Sequence, residues 1–77
     1  MTKYRQLRIA AIFEIIRAKP GIDRYDIQNL LARKGLSTGI GGLNHILWEL
    51  RQDRQISQHR SERQDGRSLF FLLAKSL

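Results

Sequence analysis

The side chains of this chain that can do chemistry would do it by hydrogen bonding and charge rather than by covalent attack. Asn44, His45 and Trp48 stand close together in STGIGGLNHILWEL (37–50), a stretch with no Lys or Arg and a single acid, Glu49. Guanidinium groups lie on either side of it, Arg24 before and Arg51, Arg60, Arg63 and Arg67 after. An amide both donates and accepts, an imidazole offers two ring nitrogens, and a guanidinium donates in a planar fork suited to anions. The chain has no Cys, so it has no disulfide framework and no thiolate zinc site. His45 and His59 lack ligand-like spacing, and a metal is not expected. No Ser–His–acid set or carboxylate pair would be brought together, so an enzyme is not expected. The glycine-rich STGIGGLN lacks the Gly-Lys-Ser/Thr ending of a phosphate loop. No cofactor and no small-molecule ligand is expected.

The balance of the whole chain points the same way. It has 77 residues and a formal net charge of +7, which favours an acidic partner, most often nucleic acid and less often an anionic membrane surface. The charge is uneven: eight Lys/Arg face three acids in residues 1–36, five face three in 51–67, and none lies in 37–50. At 42% hydrophobic residues the chain can build one core, with the thin stability margin of a small domain. The longest apolar run, LFFLLA (69–74), is far too short to span a bilayer. The N-terminal MTKYRQLRIAAIF is broken by Glu14 and Arg17 with no small-residue cleavage site, so it reads as a helix and not a signal peptide. No membrane association is expected, and the expected location is cytoplasmic.

The elements that must position these residues follow from periodicity. A first helix is predicted over 3–18, with Ile9, Ile12, Phe13 and Ile16 inward and Arg5, Arg8 and Arg17 outward. Pro20 and Gly21 stop it. Ile22 is expected to be extended, and Asp23 to cap a helix over 24–34 that buries Ile27, Leu30 and Leu31. Gly35 suits a helix end at positive φ. A third helix is predicted over 38–54, capped by Thr38 or opening at Gly39, with Leu43, Ile46, Leu47 and Leu50 buried and Ile40 near its start. Its glycines each cost about 1 kcal/mol against Ala in a helix interior. After Arg54 the period changes. Residues 55–60 can form a strand, Asp65-Gly66 is a turn dipeptide, and RSLFFLLA returns, giving a hairpin over 55–74. The return strand lacks clean alternation, so either both its faces are covered or its outer face joins a partner. There is no repeat, low-complexity tract or linker, and residues 1–77 read as a single α+β domain.

This order resembles the winged-helix family, a helix-turn-helix followed by a β-hairpin wing, over nearly the whole chain. LNHILWELRQDRQISQHRSERQDGRSLFFLL is similar to the recognition helix and wing of MarR-like and ArsR-like regulators, and PGID before the second helix is also familiar from them. The length and layout are similar to small stand-alone regulators of the PapI type. The chain departs from the pattern at Arg54-Gln55, where many members have Gly, and at the glycines of the third helix, where many have polar or basic residues. Asn44 and Trp48 also have the Asn-x-x-x-aromatic spacing of Z-DNA-binding winged helices, but the Pro-x-Trp wing of that group is missing.

The resemblance implies a duplex-DNA-binding regulator whose third helix enters the major groove. The base-facing residues would be Thr38, Gly39, Gly41, Gly42, Asn44 and His45, with Asn44 pairing to adenine N6/N7 and His45 donating to guanine. The glycines would let backbone approach and N–H groups meet a phosphate; the competing reading is tight helix-on-helix packing, with Asn44 merely solvated. Trp48 would stack on a sugar or line a partner surface, or else cover the root of the wing against His59 or the return strand. Arg60, Arg63 and Arg67 would reach phosphate or minor groove, with Asp65 orienting Arg67, or would simply keep the hairpin soluble. Arg24 and Arg51 would position the backbone. Lys3, Arg5, Arg8, Lys19, Arg33 and Lys34 are expected on solvated faces. A second copy of the chain, through Tyr4, Leu7 and Ala11 or through the FFLL strand, or a partner regulator, would supply the extra contact that tight binding needs. The alternative is a winged-helix module that binds protein and not DNA.

Overall fold

Apolar residues run almost unbroken from Leu7 to Ile16, which commits this segment to a buried helix but leaves its rotation open. The computed structural model describes residues 2–61 and 66–73. In it, α1 spans Thr2–Ala18 and buries Ala11, Ile12, Ile15 and Ile16, while Ile9 and Phe13 pack on the edge of the core. The expected stripe of Ile9, Ile12, Phe13 and Ile16 is thus turned toward Ala11 and Ile15, because neighbouring elements choose among several apolar faces. The turn after α1 needs Gly21 twice over: its φ is +86°, and a Cβ there would lie 3.3 Å from the Phe71 ring. The next residue, Ile22, is extended as expected and bridges antiparallel to Phe70, whose N–H donates to the Ile22 carbonyl at 3.0 Å.

Helix α2 spans Arg24–Arg33, and Asp23 caps it through Oδ1, which accepts the Asp26 N–H at 2.8 Å. Ile27 and Leu31 are buried and Leu30 is half-buried. The helix ends one residue before the expected Lys34, which is its C-cap. Gly35 follows at φ +75°, its N–H donating to Ala32 O and that of Leu36 to Leu31 O. This pair of bonds satisfies the last carbonyls and turns the chain sharply.

Helix α3 spans Ile40–Gln52, shorter at both ends than the expected 38–54. Thr38 does not cap it. Gly39 is the N-cap, with no side-chain cap bond, because Thr38 is held back toward α2: its carbonyl accepts from Gln28 Nε2 at 3.0 Å. Leu43, Ile46, Leu47 and Leu50 are buried as expected, with Ile40 partly so. The helix stops before Arg54 because that residue takes φ +56°, with Arg54 N–H on Arg51 O and Gln55 N–H on Leu50 O.

Strands β1 (Ile56–Arg60) and β2 (Ser68–Leu72) pair antiparallel, with Ile56 opposite Leu72 and Arg60 opposite Ser68. They are shorter than the expected 55–74 hairpin. Period-2 alternation puts Ile56, Phe70 and Leu72 toward the helices and Ser57, His59, Leu69 and Phe71 on the outer face. The outer face is partly covered, since Phe71 meets Gly21 and packs edge-on with His59 at 5.6 Å between ring centroids. Residues from all five elements and Ile22 share one buried cluster, with Phe70 fully buried within it. Among the described residues, three helices and a two-stranded antiparallel sheet make an α+β arrangement. Among the described residues no helix is long and apolar enough to cross a membrane.

Candidate nucleic-acid interface

The core positions of α3 leave Gly41, Asn44, His45, Trp48 and Gln52 on its outward side at 100° per residue. Its front is bare. A Cβ on Gly39 or Gly41 would have nothing within 4 Å, so tight packing of helix on helix does not explain these glycines. Gly42 is different: a Cβ there would lie 2.8 Å from the Thr38 hydroxyl, so its missing side chain makes room for Thr38. The first intrahelical bond is Leu43 N–H to Gly39 O, and among the described residues no side chain caps the N–H groups before it. Such a helix start presents donors and the positive end of its dipole outward.

Beside that front lies an open cleft of about 370 Å³, lined by Asp23, Arg24, Tyr25, Asn44, Gly66, Arg67 and Ser68. Three expected site residues, far apart in sequence, meet there. Arg24 Nη1 donates to Asn44 Oδ1 at 2.6 Å, so Asn44 is not merely solvated. The Arg24 guanidinium also rests 5.7 Å from the centroid of the Phe70 ring, within cation–π range. Arg67 Nη1 donates to Asp23 Oδ2 at 2.9 Å. Asp65, expected to orient Arg67, lies outside the described residues; among the described ones Asp23 accepts from Arg67, from 44 residues earlier in the chain. One buried carboxylate therefore both caps α2 and ties it to the foot of the hairpin.

The other side of α3 carries a second network. His45 Nε2 lies 2.7 Å from Glu49 Oε1, and Glu49 also pairs with Arg5 on α1. The His45 ring stacks on Trp48 with centroids 6.3 Å apart and planes 14° from parallel. Trp48 is 49% exposed, and His59, one of its two expected partners at the hairpin root, packs on Phe71. Arg51 and Arg60 are exposed on the flanks, and Arg63 lies outside the described residues.

Two expectations for α1 also change. Arg8 is not on a solvated face, since its guanidinium donates to the carbonyls of Leu36 (3.3 Å) and Ser37 (3.0 Å) and braces the α2–α3 turn. Ala11 is buried in the core, so it is not part of a dimer surface, whereas Tyr4 and Leu7 are exposed. Sequence reasoning missed Asp23 as a site residue and Phe70 as the floor beneath Arg24. The cap signal at Asp23 was visible, but its Arg67 partner is 44 residues away. Comparisons of the chain with protein-family models, curated proteins and solved structures return no match.

Proposed function

We propose that the protein is a winged-helix, sequence-preferring double-stranded-DNA-binding protein, a small transcriptional regulator working in the cytoplasm on the nucleoid. The observation that carries this reading is the meeting of Arg24, Asn44 and Arg67 in one cleft beside the bare front of α3. In this reading α3 lies in the major groove, with Gly41 allowing close approach and Asn44 and His45 facing base edges. The hairpin lies over phosphate and minor groove through Arg60, Arg63 and Arg67, and Arg51 and Arg24 hold the backbone. The cationic flanks supply most of the affinity through release of counterions, and α3 supplies a modest specificity. A second copy or a partner regulator would complete tight binding.

The test is a salt titration of binding to a labelled duplex. If roughly three to five phosphates are neutralised, the log–log slope is about −2.7 to −4.5. A flat response overturns the reading.

One observation favours a second reading, a protein-binding module. Trp48 stays half exposed on the same face as the glycines, stacked on His45. A partner captured despite nuclease treatment, by a chain that binds no duplex, would support that reading.

A further inference from the structure

We infer that Arg24 sets the base preference of Asn44, turning an amide suited to adenine into a donor that takes guanine. The inference rests on the DNA-binding reading above. A guanidinium has only donors, so the amide atom facing Arg24 must be the oxygen; the flipped amide would set N–H against N–H. The bond is short, 2.6 Å, and charge-assisted. Arg24 is itself held, packed on the buried Phe70 ring and following the Asp23 cap directly in sequence. The Nδ2 amino group of Asn44 is therefore the one turned away from Arg24.

Adenine recognition uses both amide atoms, with Oδ1 accepting from N6 and Nδ2 donating to N7. Oδ1 keeps a second lone pair, but using it brings the adenine amino group against the Arg24 guanidinium, donor on donor. Guanine presents N7 and O6, both acceptors, and these suit Asn44 Nδ2 together with a further N–H of Arg24. Asp23 is an acceptor lining the same cleft, but each of its oxygens is engaged, Oδ1 by Asp26 N–H and Oδ2 by Arg67. Phosphate oxygens would also satisfy two donors, and the experiment separates the two.

The full chain is taken through selection from random duplexes, and binding is then measured with each base at the enriched positions. The wild type enriches guanine at the position sensed by Asn44. Arg24→Met keeps an apolar stem on Phe70 and frees Oδ1, so that position shifts from guanine toward adenine by about tenfold. Asn44→Asp turns an acceptor outward, and the same position shifts from guanine toward cytosine, whose N4 amino group donates. Circular dichroism establishes that the variants fold; if Arg24→Met does not, Asn44→Asp on the outward side of α3 decides. Adenine at this position in the wild type overturns the inference. So does a loss of affinity that is equal for all sequences in both variants, which marks a phosphate contact. If the wild type binds no duplex at low salt, the DNA-binding reading falls as well; if it binds without a guanine preference, only this inference falls.

Discussion

Arg54 holds a left-handed backbone conformation, φ +56°, at the exit of α3, although it is neither Gly nor Asn. For an ordinary L-residue that conformation costs about 1–2 kcal/mol, while Gly loses about 0.5–1 kcal/mol more backbone entropy on folding. The balance favours Arg54→Gly. We expect it to stabilise the fold by about 0.5–1 kcal/mol, read as a rise of several degrees in thermal midpoint, with no change in any bound partner if Arg54 has no contact role. Gly35 shows the same geometry filled by the residue it suits, at φ +75°. At this scale the sequence was legible where a residue type matched its backbone, as at Gly35 and Asp23. It misled where one did not: Thr38 is a good capping residue, yet Gly39 occupies the cap.

At the scale of elements, the joints are more telling than the spans. Asp23 joins α2 to the foot of β2, Arg8 joins α1 to the α2–α3 turn, and the Arg5–Glu49–His45 chain joins α1 to α3. Asp23→Ala removes both the cap and the Arg67 contact, and should destabilise the fold by about 1–2 kcal/mol in a denaturant melt. Asp23→Asn retains a capping oxygen and should recover most of that loss. If the two variants are equally destabilised, the Arg67 contact outweighs the cap. Helices α2 and α3 were readable from periodicity because each has one apolar face; α1, with several, showed its span but not its rotation, and the hairpin showed through the change of period and the turn dipeptide. Their ends moved by one or two residues, since ends are set by hydrogen bonds at single positions that periodicity does not see.

At the scale of the whole molecule, Phe70 is the common floor. It is fully buried, bridges to Ile22, and carries Arg24 over its ring. Phe70→Ala should cost about 3–5 kcal/mol, enough to unfold much of a domain with so thin a margin. The check is a urea melt beside far-UV circular dichroism, and a near-native midpoint would show that the core collapses around the gap. By itself the sequence determined the helices, the hairpin, the α+β class and the basic flanks around a third helix whose only Asp, Glu, Lys or Arg are Glu49 and Arg51, because these follow from local periodicity, turn chemistry and charge. Only the tertiary structure decided that Arg24 grips Asn44, that Asp23 holds Arg67, and that Trp48 stacks on His45. Those are choices among partners 3 to 44 residues apart. A side chain with several available partners is placed by the packing of whole elements, which no local pattern records.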